Sequence, residues 1–344
     1  MPMATYHIGA DVDSRITELA VVGGRAIRYF TVPTAIPPLL EVLKTVVGRK
    51  VLVIEEGPMA DWLCRGLRPA VDEMVVCDPR RNKLICQDGD KTNRIDARKL
   101  GELSRAGMLR AVHHSDSQDR VCLKQWVSLY QDRVVQGVRE VNKLRARCRM
   151  WGIHPPRGAL RNPAVREPWL ETLDPALAGQ LRLLFLALDS SSEIARSCRQ
   201  ELARRANHYP IVARWRQMPG VGLIRAATFL AYMDTPWRFA SRKKARVYCG
   251  VGLRRFASGT DKWGREKRGT LRLAWATNKR LKDVVMGATI SAINQGDNVL
   301  AEGYSQRISQ GMSPGNARHA VARKQVDRMM AMWKTGSEYC PELA

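Results

Sequence analysis

The first part of the chain alternates between two hydrophobic patterns. Period-two and short apolar runs predict strands, whereas apolar residues repeating every three to four positions predict helices. Over residues 1 to about 115 these patterns predict strands at 6–10, 17–22, 26–32, 51–54 and 73–77, and helices at 36–47, 59–67 and 91–100. The run at 51–54 is apolar at every position, which is typical of a strand buried on both faces.

This order of elements favours an α/β domain. Three strands, a helix and then alternating strand and helix is the order of a ribonuclease-H-like, RuvC-like domain. Asp11 follows the first strand, Glu55 ends the apolar strand and Asp96 lies on the last helix. Such folds cluster carboxylates to hold Mg²⁺ at a phosphodiester. Strands also end in acidic residues simply because the chain becomes polar, so each position has a structural alternative.

Residues 116 to about 207 change to a longer helical pattern. An apolar stripe with spacings of three and four includes Leu177, Leu181, Leu184, Leu188, Ala195, Cys198 and Leu202, with an interruption at Ser191. A similar stripe upstream includes Val134, Val138, Val141 and Cys148, and a Pro- and Gly-rich stretch separates the two. We expect a coiled-coil hairpin of two long helices. Its stripe is explained by packing within the chain, against another copy, or both.

The pattern over residues 208–344 predicts a mainly helical third domain, and many of the basic residues of the chain are found there. The 344-residue chain has 57 Lys and Arg against 33 Asp and Glu, a net charge of +24. Between Arg238 and Lys282 there are fifteen basic residues and two acidic ones. A field of this sign attracts nucleic acid, although ribosomal and chromatin proteins are basic too. No secretion signal, membrane span or C-x-x-C pair is visible, so we expect a cytoplasmic, nucleoid-associated protein without structural zinc or disulfides.

Three N-terminal segments together resemble a known signature. Ile8-Gly9-Ala10-Asp11, Val53-Ile54-Glu55 and the stretch from Lys91 to Arg98 are similar to the N-terminal motifs of the DEDD insertion-sequence transposases, the Piv/MooV-like family numbered one hundred and ten. The resemblance implies that Asp11, Glu55, Asp96 and Asn93 hold Mg²⁺. The family has Asp where this chain has Asn93, so the site loses one negative charge; Asp88 or Asp90 are compensating candidates, and Glu56 is an alternative to Glu55.

The C-terminal domain carries two further motifs. Met218-Pro219-Gly220-Val221-Gly222 resembles the turn of a helix-hairpin-helix, in which the backbone N–H groups of Gly220 and Gly222 would bind phosphate. The stretch from Tyr248 to Gly259 resembles the same family's Ser-Gly motif, which makes Ser258 the expected nucleophile. Its basic neighbours are expected to bind nucleic acid: Arg254, Arg255, Lys262, Arg265, Lys267 and Arg268. Residues 311–333 resemble the family's closing helix.

The resemblance covers nearly the whole chain and implies a DNA transposase or site-specific recombinase. Such an enzyme would cut and rejoin double-stranded DNA through a phosphoserine link, with Mg²⁺ as cofactor. The family also implies a guide non-coding RNA, as in RNA-guided bridge recombinases, and a dimer or tetramer. Two alternatives stay open: a metal-dependent Holliday-junction-type nuclease in which Ser258 is structural, and a DNA-binding relic weakened by Asn93.

Overall fold

The chain forms two compact units. A computed structural model describes residues 4–79, 92–115, 117–256 and 269–341. The units are Met1–Gln118 and Asp119–Ala344. As the sequence predicts, the first is an α/β unit and the second is mainly helical. The predicted boundary near residue 207 falls within the second unit and stays a prediction.

The described part of the first unit contains a mixed sheet. Its strands are β1 (Thr5–Val12), β2 (Ile16–Val22), β3 (Arg28–Pro33), β4 (Arg49–Glu55) and β5 (Glu73–Cys77), in the spatial order β3-β2-β1-β4-β5. β1 pairs antiparallel with β2 and parallel with β4. The carboxyl ends of the two parallel strands β1 and β4 therefore lie side by side at the same end of the sheet.

Helices cover both faces of this sheet: α1 (Ile36–Lys44), α2 (Ala60–Leu67) and α3 (Asn93–Arg105). Leucines of α1 and α2 pack against Ile8 of β1 and Ile54 of β4. On the opposite face, Leu100 of α3 packs against Val51 and Val53. Alternate residues of β1 and β4 thus face different helices, which fixes the direction of every side chain along them.

Helix α1 ends three residues before its predicted end. The Thr45 hydroxyl donates to the Val42 carbonyl at 2.7 Å, and Gly48 adopts a φ of +129° that suits glycine. The apolar residues Val46 and Val47 extended the helical pattern, but the local hydrogen bond and the glycine turn end the helix first.

The second unit consists of nine described helices and one described β-hairpin: α4 (Gln118–Met150), α5 (Pro163–Glu171), α6 (Pro175–Ala206), α7 (Pro210–Trp215), α8 (Leu223–Met233), α9 (Arg242–Tyr248), β6 (Leu253–Phe256), β7 (Thr270–Leu273), α10 (Lys279–Gln295), α11 (Val299–Ser309) and α12 (Pro314–Thr335). Its main core surrounds Trp215, which packs edge-to-face on Phe229 with ring centroids 5.1 Å apart. The Trp215 indole N–H donates to the Met329 carbonyl at 2.9 Å.

The long helices α4 and α6 run antiparallel and, with α5, form what we call the helical arm. At one end, Leu123 of α4 shares a core with Leu202 of α6. At the other end, Leu144 of α4 shares a core with Leu177 and Leu181. The expected hairpin of two long helices is therefore present. Helix α6 continues without a break through Ser191, which is buried.

The predicted stripe on α4 is wrong at its first two positions, whereas Val141 packs on a buried core that contains Cys148. Val134 and Val138 are 42% and 57% exposed, whereas the buried positions there are Glu140, Leu144 and Cys148. The buried face of α4 contains a glutamate, because Glu140 accepts hydrogen bonds from Gln136 and Lys143. A stripe read from apolar residues alone could not include that position.

Candidate active site

Asp11 and Glu55 lie at adjacent positions on neighbouring parallel strands of the first unit. The register of β1 and β4 sets Ala10 opposite Ile54, so the next residues on the two strands are about 5 Å apart across the ladder. Gly9 and Val53, two residues earlier, face α3. Because side chains alternate, Asp11 and Glu55 are on the α3 face as well. Both are partly buried.

Helix α3 crosses this face antiparallel to β1. Near its end, Ser104 Oγ is 2.8 Å from His7 Nδ1. Further back, α3 touches Gly9: a Cβ placed on Gly9 would lie 2.6 Å from Gly101 N and closer still to the Ala97 carbonyl oxygen. This contact requires glycine. The first turn of α3 therefore lies toward the end of β1 that carries Asp11.

The first turn of α3 is fixed from two sides. The Thr92 hydroxyl caps the helix by accepting from Ile95 N at 3.3 Å. The Arg94 guanidinium lies 3.9 Å from the centroid of the Tyr29 ring on β3. Asn93 and Asp96 are three residues apart and share one helical face. A carboxylate in this first turn is also favoured by the helix dipole.

The topology thus gathers Asp11, Glu55, Asp96 and Asn93 at one end and one face of the sheet. The described residues nevertheless contain no group of three or more His, Cys, Asp or Glu side chains that could hold a metal ion as they stand. The chemistry of the four side chains fits Mg²⁺, which prefers carboxylate and amide oxygens. Asp88 and Asp90, the compensating candidates, lie outside the described residues.

A second group beside this end of the sheet was not expected from the sequence. His114 Nδ1 is 2.7 Å from Asp61 Oδ1 on α2, and His114 Nε2 bonds to Glu56. Residues 110–112 bring His114 there by pairing alongside β5, with Val112 N donating to the Val76 carbonyl at 2.7 Å. Glu56, the alternative to Glu55, is therefore engaged with a histidine.

The environment of His114 favours its charged form. Burial alone would lower its pKa, but hydrogen bonds from the imidazolium to Asp61 and Glu56, and the charges of both carboxylates, outweigh burial and raise the pKa of His114 to about 9. The only signal in the sequence was the dipeptide His113-His114, whose spacing is not typical of a metal or catalytic motif.

Two paired strands, β6 and β7, flank the segment that contains Ser258 in the sequence. β6 and β7 pair antiparallel, with Phe256 opposite Thr270. Ser258, Lys262, Arg265, Lys267 and Arg268 lie between these strands in sequence and outside the described residues. The sequence did not predict either strand, because a run so rich in Arg and Gly has no clear apolar alternation.

The hairpin presents arginines without acidic partners. Arg254 on β6 stands directly opposite Arg272 on β7, and both are exposed, as is Arg255. None of these three side chains has an acidic partner in the part of the chain that the structure describes. Like charges facing each other across two strands destabilise the pair. A hairpin built in this way suits a polyanion that neutralises both arginines.

The Pro-Gly turn lies between α7 and α8. Gly220 has a φ of +75°, and a Cβ there would lie 2.8 Å from Ala292 N on α10. Its carbonyl accepts from Arg225 at 2.6 Å. Gly222 is exposed, and a Cβ added there would meet no heavy atom of the described residues within 4 Å. Gly220 therefore has a packing role against α10, and Gly222 is the more accessible of the two.

Several basic residues of the C-terminal segment stabilise the unit itself. Arg246 of α9 pairs with Asp327 of α12, with Nε and Oδ1 2.7 Å apart. Arg280 donates to Ser128 Oγ at 2.8 Å and to the Tyr232 hydroxyl at 2.7 Å. A count of cations over residues 238–282 therefore overstates the charge available to a ligand.

The chain thus joins an α/β unit, which carries acidic residues at the carboxyl ends of β1 and β4, to a mainly helical unit with exposed arginines. Residues 212–305, from α7 into α11, match the family described as Transposase IS116/IS110/IS902. The match confirms over this segment the resemblance found in the sequence, and it supports a transposase or recombinase of insertion-sequence type. No curated protein matches the chain. None of the described helices is long and apolar enough to cross a membrane.

Proposed function

We propose that the chain is a Mg²⁺-dependent DNA transposase or site-specific recombinase that cuts and rejoins double-stranded DNA through Ser258. The observation that supports this most is the antiparallel crossing of α3 over β1. It directs the first turn of α3, which carries Asn93 and Asp96, toward the end of β1 that carries Asp11, and this supports a site shared with Glu55. The family match over residues 212–305 supports the same class of enzyme independently.

In the proposed reaction the Ser258 hydroxyl attacks a backbone phosphorus of DNA. The Oγ–P bond forms as the bond from phosphorus to a sugar oxygen breaks, and the proton lost by the serine is balanced by one gained by the leaving sugar hydroxyl. The phosphoserine link conserves the energy of the broken bond. A sugar hydroxyl of another strand then reverses the attack, so the strand is rejoined to a new partner without ATP.

The other residues have supporting roles in this proposal. Asp11, Glu55, Asp96 and Asn93 would hold Mg²⁺, which when bound neutralises charge that builds up at phosphorus. Arg254 and Arg255 would bind the phosphates that flank the reacting one, joined by Lys262, Arg265, Lys267 and Arg268. Gly222 N–H at the start of α8 would hold one further phosphate.

Two partners belong to the proposal as well. A guide non-coding RNA would select the DNA sequences, with part of the basic surface serving the RNA. A dimer or tetramer is supported by the exposed apolar residues Val134, Val135 and Val138 on α4, since an exposed apolar stripe on a long helix is a common contact between copies.

Trapping the covalent link tests the nucleophile. Wild-type protein, Ser258→Ala and the control Ser309→Ala, an exposed serine of α11, are incubated with labelled DNA carrying the insertion-sequence ends, its RNA and Mg²⁺, then denatured. We expect a protein–DNA adduct with wild type and Ser309→Ala only. Cleavage by Ser258→Ala without any adduct would contradict the serine recombinase and favour the alternative of a metal-dependent nuclease.

The metal site is tested by titrating Mn²⁺ with electron paramagnetic resonance detection. Asp96→Asn should weaken Mn²⁺ binding and abolish nicking, and the control Asp72→Asn should change neither. Asn93→Asp restores one negative charge, so it should bind Mn²⁺ about tenfold or more tightly, the effect of roughly 1.4 kcal/mol. If neither wild type nor Asn93→Asp cuts DNA with any divalent ion, the chain is a DNA-binding relic.

A further inference from the structure

The far end of the helical arm carries an open cavity of about 630 Å³ lined by arginines. Arg145 and Arg149 come from the last turns of α4, and Arg157 and Arg161 from the connection to α5. This volume could hold about twenty water molecules at roughly 30 Å³ each, more than a single phosphate ion displaces. We call residues 145–161 the arm tip.

The arm tip has no acidic residue to balance its charge. Residues 144–162 contain five arginines and no Lys, Asp or Glu. None of the four lining arginines forms an ion pair with any residue that the structure describes, and all four are exposed. The next arginine, Arg166, shows the contrast: it bonds to Asp189 and lies 4.7 Å from the centroid of the Phe185 ring. Unbalanced like charges around one cavity attract a polyanion.

The walls of the cavity are built into the fold. Ile153 and Leu160 pack on the core that includes Leu144 and Cys148. Ala159 is fully buried and its N–H donates to the Pro156 carbonyl at 3.1 Å. A phosphate that enters therefore meets side chains on a fixed backbone, which lowers the entropic cost of binding.

We propose that the arm tip binds the backbone phosphates of a nucleic-acid duplex. Arginine rather than lysine fits this ligand, because its planar guanidinium donates two parallel hydrogen bonds to one phosphate. Trp151, which follows the last turn of α4, is half-exposed and adds an aromatic side chain to the arm tip. That the polyanion is nucleic acid rests on the proposed function, whereas the binding itself needs neither the acidic residues nor Ser258.

This contact lies far from the base of the arm. Arg145 is seventeen residues along α4 from Ser128, the residue that Arg280 holds, which corresponds to about 25 Å of helix. The arm tip would thus grip a second stretch of duplex, separate from any stretch bound at that junction.

Salt-dependent binding tests the proposal. Fluorescence anisotropy measures the affinity of the full chain for duplex DNA and duplex RNA of the same random sequence, about 40 base pairs and on the order of 130 Å long as DNA. The variant replaces the four lining arginines by alanine. The control, Arg182→Ala/Arg196→Ala/Arg199→Ala/Arg204→Ala, removes the same charge from exposed positions along α6.

Each lost contact with a backbone phosphate should reduce the magnitude of the slope of log K against log salt by about 0.9 for DNA. We expect the tip variant to lose about 2–4 from this slope and at least about tenfold in affinity at 0.15 M salt, with a much smaller change in the control. A loss with DNA alone, RNA alone or both identifies the source of the phosphates. An equal loss in the control, or poly-glutamate competing as well as nucleic acid at equal charge, would overturn the proposal.

A measurement on the unaltered protein covers the case in which the tip variant does not fold. Phenylglyoxal modifies accessible arginines, and mass spectrometry locates the products. Bound duplex should protect Arg157 and Arg161 but leave Arg182 reactive; no protection refutes the contact. Asp96→Asn should keep the full salt slope while losing nicking, so failure of the proposed chemistry and failure of the tip contact give different results.

Discussion

Replacing Gly9 by alanine is expected to push α3 away from the sheet and to disrupt the proposed metal site. The new Cβ would lie 2.6 Å from Gly101 N, about 0.8 Å short of ordinary contact, and nearer still to the Ala97 carbonyl. Both obstacles are backbone atoms of one helix, so α3 must move as a whole. Overpacking of this kind costs about 1–3 kcal/mol.

The functional effect should exceed the loss of stability. Asp96 moves with α3, and a displacement near 1 Å can cost on the order of 10²-fold in rate. We expect Gly9→Ala to lower Mg²⁺-dependent nicking about 10²-fold and to weaken Mn²⁺ binding, in protein whose circular dichroism is still that of the folded chain.

Two other glycines supply a graded control. In Gly101→Ala the nearest atom is a Val22 methyl at 2.8 Å, which can give way, so we expect a smaller effect. In Gly24→Ala the nearest atoms are 3.7 Å away, and no effect is expected. Wild-type nicking and Mn²⁺ affinity in Gly9→Ala, or equal losses in all three variants, would refute the dependence of the site on the α3 crossing.

Three further results are expected. NMR titration of His114 in the intact chain should give a pKa near 9. Because this pKa exceeds that of the unfolded chain, the contribution of charged His114 to folding stability is complete below about pH 6.5 and is lost as the pH rises through 9. The melting temperature should therefore fall over that range in wild type and not in His114→Gln. Gly220→Ala should destabilise the second unit by about 2 kcal/mol or more in urea unfolding, from its positive φ and its contact with α10, whereas Gly222→Ala should not. Arg272→Glu, opposite Arg254, should raise the thermal stability by about 0.2–1 kcal/mol while weakening DNA binding; unchanged binding would remove the hairpin from the nucleic-acid interface.

The sequence predicted the elements whose packing partners are apolar. β5 is observed at the predicted residues. β4 extends only slightly beyond the run at 51–54, because residues 51–54 are buried on both faces and are apolar at each position. The stripe on α6 was predictable because most of the buried residues of that helix are apolar. On α4 the stripe failed at Val134 and Val138, which are exposed, and it missed the buried Glu140, which is held by hydrogen bonds that a hydrophobic pattern does not record.

The candidate site could be predicted in part. The order of Asp11, Glu55 and Asp96 along the elements indicated a common location, and the strand register and the α3 crossing agree with it. His114 was not predictable, because its partners Glu56 and Asp61 are more than fifty residues away in sequence. Long-range pairing of isolated polar residues follows from the fold and leaves no periodic trace.

The continuity of α4 has a mechanical consequence. Its 33 residues form one uninterrupted rod about 50 Å long, with Arg280 gripping Ser128 near one end. A pivot of about 10° at that grip would sweep residue 145 through on the order of 4 Å, given some 25 Å of helix between them. Motion of the distant end would therefore reach α10 both through the hydrogen bond between Arg280 and Ser128 and through the core that Val127 of α4 shares with Leu281 of α10.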